Sequence, residues 1–97
     1  MSAYMLAQIQ VTDPEEYKKY LRGFMPIFER HGGELLATSK NQTVVVEGEW
    51  SPPNTVIMKF PTMEAAQSWY NDPEYTALTA HRHRAARTNL VLVEGIA

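Results

Sequence analysis

Arg82 is the residue of this 97-residue chain whose surroundings most invite chemistry. It stands in the run His81-Arg82-His83-Arg84, and at helical spacing it shares a face with Tyr75, Leu78, Thr79 and Ala86. A guanidinium on the packing side of a helix needs an anion, because an unpaired charge is costly to take out of water. Glu47 and Glu94, at strand ends, are candidate protein partners; a ligand anion is the other possibility, and both stay open here. Gln8 and Gln10 carry amides on the polar side of the first strand. Trp50, beside Ser51-Pro52-Pro53-Asn54, suits a pocket mouth or a subunit interface. Trp69 and Tyr70 lie on a short helix that must bury something, which favours the core over an aromatic pocket. The ligand-binding set is therefore Gln8, Gln10, Glu47, Trp50, Trp69, Arg82 and Glu94, with no catalytic residue assigned.

Other chemistries find less support. His81 and His83, two apart on a helix, point about 200° away from each other and cannot chelate one ion. No metal and no cofactor are expected. Basic residues in the last turn of a helix commonly answer its dipole and face water. His31 ends an apolar stripe and reads as a C-terminal cap rather than a base. No nucleophile elbow, phosphate loop or dinucleotide fingerprint is present. Gly32-Gly33 follows a helix and stops it.

The elements that position these residues follow from periodicity. Residues 4–11 alternate as a strand, with Met5, Ala7, Ile9 and Val11 on one face. Asp13-Pro14-Glu15-Glu16 opens a helix with an N-cap, an N1 proline and a capping-box carboxylate. Tyr17, Tyr20, Leu21, Phe24, Ile27, Phe28 and His31 form its apolar stripe, and Pro26 predicts a kink or break near residues 23–25. Residues 34–38 and 43–47 read as one strand interrupted at 39–42 by a bulge or hairpin tip. Residues 55–60 form a third strand. Thr62 caps a helix running to about Tyr70, and Asp72-Pro73-Glu74 opens another running to about Arg87. Residues 90–96 form the last strand.

The order β-α-β-β-α-β, its second helix split, predicts an α+β fold of the ferredoxin-like kind. Four antiparallel strands carry helices on one face only. The other face still bears Leu, Val and Ile, so a second copy is expected to cover it, as a homodimer. At 97 residues one domain is expected, too small to bury much surface alone, and the chain has no cysteine to staple it. A net charge of −2 argues against a nucleic-acid partner. No apolar run of about 18 residues predicts a membrane span, and nothing resembles a signal peptide, so the expected location is cytoplasmic.

Several segments, in order, resemble the family called domain of unknown function 1330. They are Val11-Thr12-Asp13-Pro14-Glu15 with Tyr17 and Tyr20, Gly32-Gly33, Glu47-Gly48-Glu49-Trp50, Phe60-Pro61-Thr62, Trp69-Tyr70 with Glu74-Tyr75, and Val93-Glu94-Gly95-Ile96. The resemblance spans essentially the whole chain and implies a dimeric α+β barrel with no established activity. Arg82 falls where the family favours arginine, whereas the rest of His81 to Arg84 is more basic than its pattern. Haem-degrading barrels of this shape place a histidine ten residues after a tryptophan. Ten residues after Trp69 stands Thr79, a poor axial ligand, so no haem is expected. Two functions fit: binding or transforming a small organic molecule, neutral or anionic, in a pocket, or a non-catalytic dimeric structural or interaction module. The residues are compatible with an enzyme and with a binding protein alike.

Overall fold

The computed structural model describes residues 1–97. The elements run β1 (Ala3–Val11), α1 (Pro14–Arg30), β2 (Glu34–Ala37), β3 (Asn54–Phe60), α2 (Met63–Tyr70), α3 (Pro73–Ala85) and β4 (Ala86–Glu94). The strands form one antiparallel sheet in the order β2-β3-β1-β4, so the long β1 and β3 lie inside it. This is the ferredoxin-like α+β architecture.

Strand alternation decides which residues meet the helices. Ala3, Met5, Ala7 and Ile9 of β1, with Met58 and Phe60 of β3, are buried beneath them. Tyr20, Phe24, Ile27 and Phe28 of α1 face Trp69 of α2 and Tyr75 of α3. Trp69 packs its ring 4.1 Å from that of Tyr75 and 5.3 Å from Phe60. Caps behave as their sequences predict: Asp13, Thr62 and Asp72 each accept a backbone N–H at the start of a helix. Gly32, at φ 79°, takes the left-handed conformation that closes α1.

Three expectations are corrected. Pro26 does not break α1, which is one continuous helix through that position. Its ring is exposed, while Phe24, Ile27 and Phe28 anchor the same turns in the core, so packing outweighs one missing N–H. Residues 43–47 join no strand: Thr43 reaches β3 only through its hydroxyl, which donates to that of Thr55, and Val44, Val45 and Val46 are exposed. The helix expected to reach Arg87 stops at Ala85, and Ala86 is already extended. There β4 pairs with β1 from Val11↔Ala86 to Ala3↔Glu94, and Thr12 donates to the Ala85 carbonyl through both its N–H and its hydroxyl. Sheet pairing claims residues whose basic side chains read as the end of a helix.

Candidate functional site

Between the sheet and α1, α2 and α3 lies a cavity of about 280 Å³. Tyr20, Phe24, Trp69 and Tyr75 form its helical wall; Ala7, Val56, Met58 and Leu90 form its floor on the sheet. Thr38, Ser39 and Lys40, just after β2, stand at its rim, and Arg82 and Thr88 enter from the β4 side.

Arg82 is 5% exposed and no carboxylate pairs with it. Its guanidinium carbon lies 5.6 Å from the centre of the Tyr20 ring, a cation–π contact. Its Nε and one terminal nitrogen, Nη2, are buried and make no hydrogen bond. The chain has two other buried side-chain polar atoms without a partner, Trp69 Nε1 and Thr88 Oγ1. All four belong to residues that line this cavity, and Arg82 and Thr88 also border a second cleft of about 370 Å³ with Tyr70, His83 and Asn89. Buried polar groups ordinarily find protein or water partners, so four unpaired atoms on three residues of one lining mark this cavity as the candidate site.

The Tyr20 and Tyr75 hydroxyls lie 2.5 Å apart, bonded to each other beside Arg82. Burial first, and then each other's proximity, pushes the Tyr20 phenol far above its ordinary range. Burial also raises Tyr75, against its hydrogen bond to Tyr20 and the nearby Arg82 charge. Both phenols therefore stay protonated and offer O–H rather than a base. For Arg82, burial works against the charge, and the two tyrosine oxygens outweigh it, so the guanidinium stays charged.

Five of the seven sequence-derived residues divide between opposite faces of the sheet, and Glu47 and Glu94 lie away from both groups. Trp69 and Arg82 line the cavity. Gln8 and Gln10 alternate with Ala7 and Ile9 and so lie on the face away from the helices. There Gln8 accepts from Asn89 and Gln10 accepts from Arg87. The amides expected to bind a ligand therefore do not reach the cavity, because strand alternation turns them to the other face. Trp50 is 41% exposed and donates its indole N–H to Thr55, which pairs with Gln8 on that far face. Glu47 is exposed in the loop after β2, and Glu94 lies opposite Ala3 at the far end of β4. Neither pairs with Arg82, so the two proposed protein partners are not brought to it.

Sequence reading missed Tyr20, Tyr75 and Thr88 as parts of the site. The tyrosines were visible as helix-stripe residues, and Tyr75 and Arg82 sit seven apart on one face. Thr88 was hidden because it was read as the junction between a helix and a strand. Beyond the cavity, His81 Nδ1 lies 2.6 Å from Glu16 Oε2, which also accepts from Arg84 at 2.9 Å, while His83 is exposed. That cluster ties α3 to α1 and uses the basic run structurally.

Comparison with known proteins adds the family. Residues 2–96 match the family described as Domain of unknown function (DUF1330). No curated protein matches. Among solved structures, a protein of unknown function from Rhodopseudomonas palustris, RPA0582, superposes with a TM-score of 0.76 at 23% identity, covering 99% of this chain and 83% of that one. A dimeric ferredoxin-like protein of unknown function from Jannaschia sp. CCS1 gives 0.65 at 12% identity, covering 98% and 100%. SnoaB, a cofactor-independent oxygenase from Streptomyces nogalater, gives 0.63 at 11% identity, covering 99% and 94%. At these identities the likeness is one of fold.

Proposed function

The chain belongs to the DUF1330 family, and we propose that it binds a small organic molecule, without a metal ion, in the cavity between its sheet and helices. The observation that carries this reading is that all four unpartnered buried side-chain polar atoms belong to three residues that line the cavity, Trp69, Arg82 and Thr88. A cavity of about 280 Å³, apolar with a few convergent polar groups, has the character of a small-molecule site. The rival reading, a non-catalytic module with structural polar residues, calls for an Arg82 satisfied by the protein, and its Nε and Nη2 have no partner. A structural neighbour named as a cofactor-independent oxygenase makes a transformation without cofactor compatible with this fold.

The working unit in this proposal is a homodimer. On the face away from the helices, Leu6 pairs with Ile57 and Val91, and Tyr4 with Val93, so one half of that face is apolar. Val91 and Val93 are 54% and 46% exposed. A second copy would cover this patch, and obligate dimers of this kind bury more than about 1,200 Å² in total.

Thermal-shift screening against a metabolite library tests the binding claim, since a ligand at 100 times its Kd adds about 2.7 kcal/mol. Compounds should stabilise the wild type and fail to stabilise Val56→Phe, which fills the cavity floor. Stabilisation that persists in Val56→Phe, or no stabilising compound at all, would overturn it.

A further inference from the structure

We infer that the ligand of this cavity is a flat, largely apolar organic acid carrying one negative charge, its anionic oxygens on Arg82 and its ring body against Tyr17 and Val56. The inference rests on the reading of the cavity as a ligand site and names the chemistry of what fills it.

Three properties of the walls converge on that class. The first is polarity. Guanidinium and indole nitrogens only donate hydrogen bonds, and Arg82 Nε, Arg82 Nη2 and Trp69 Nε1 are all buried and unused. The Thr88 hydroxyl is unused too. One of the Tyr20 and Tyr75 hydroxyls donates to the other, and the second retains a proton to offer, because burial keeps both phenols protonated. Unpartnered donors on the residues of a lining that holds one buried cation are matched by an oxyanion.

The second is charge. Arg82 is the one buried cation of the lining, Lys40 is exposed at the rim, and no aspartate or glutamate lines the cavity. One negative charge neutralises the guanidinium. A neutral ligand leaves it uncompensated, and a second negative charge would itself be stranded among apolar walls.

The third is shape and size. The space lies between aromatic side chains of the helices and aliphatic side chains of the sheet, surfaces against which a flat body packs well. Filled to the density of a protein interior, about 280 Å³ takes a molecule of roughly 10 to 14 non-hydrogen atoms.

Isothermal titration of the wild-type protein with three flat aromatic probes of about 12 or 13 non-hydrogen atoms separates these terms: 2-naphthoate, neutral 2-naphthamide and the dianion isophthalate. 2-Naphthoate should bind at least about tenfold tighter than either of the others, as charge-assisted bonds to a guanidinium require. Arg82→Gln should erase that preference, and Arg82→Lys should keep part of it. Equal affinity for 2-naphthoate and 2-naphthamide, or a preference that survives in Arg82→Gln, would overturn the charge assignment and leave the cavity standing as a site. No binding of any probe at millimolar concentration would overturn the cavity reading as well. Should Arg82→Gln not fold, the three wild-type titrations decide alone.

Discussion

Replacing Arg82 by methionine removes a buried cation while keeping most of its length. Nothing in the protein is left stranded by the change, since no carboxylate pairs with the guanidinium. Arg82→Met should therefore leave stability unchanged or raise it by about 1 kcal/mol, even after loss of the Tyr20 contact. That gain corresponds to a rise of about 4–8 °C in Tm for a domain of this size. A clear drop in Tm would show that the protein itself satisfies the charge. Wild-type sequences carry such costs where function needs them. The inward direction of Arg82 was legible in its spacing from Tyr75 and Leu78. Its lack of a partner was not, because which carboxylates approach a helix depends on tertiary packing and not on local pattern. Gln8 and Gln10 make the same point: alternation assigned them to the polar side of β1, but not which side holds the cavity.

The helices α1 and α3 run alongside each other and are pinned at both ends by carboxylates. Glu16 near the start of α1 holds His81 and Arg84 near the end of α3. Asp72, the cap of α3, holds Arg30 and His31 at the end of α1. Hydrogen bonds from His81 first, and then Arg84, lower the Glu16 carboxyl from 4.5 to about 2. A folded value below the unfolded one adds stability above pH 4.5 that disappears as the pH falls towards 2. Urea unfolding should therefore show the wild type losing stability through that window more steeply than Glu16→Gln; parallel profiles would contradict the clasp. Pro26 offers a separate test. It is exposed inside a continuous helix, where proline lacks a backbone donor, so Pro26→Ala should stabilise the protein by about 1–3 kcal/mol by calorimetry. A loss of stability would mean that the ring has a packing role. Helix starts were legible because Asp-Pro-Glu and Pro-Thr caps act within one turn. The α3–β4 junction was not, because nine long-range pairs with β1 override the local preference of residues 86 and 87.

At the scale of the molecule, the β-α-β-β-α-β order was legible because it follows from two periodicities and the handedness of crossovers. The fate of residues 43–47 was not: Val44-Val45-Val46 has the composition of a strand and no partner within its own chain. The exposed valines and the apolar half of the open sheet face leave a surface that a second copy would cover. Light scattering at micromolar concentration should give twice the 11.0 kDa chain mass, and Val91→Lys should shift it towards one. A monomeric wild type would remove the dimer from the account.

The central claim is that Arg82 anchors a ligand inside the cavity, and a crystal structure grown with the best-stabilising organic acid tests it most directly. The acid should lie between the sheet and the helices, with an oxygen about 2.7–2.9 Å from Arg82 Nε or Nη2. An acid found instead on the open sheet face near Gln8 and Trp50, with Arg82 still unpaired, would contradict it.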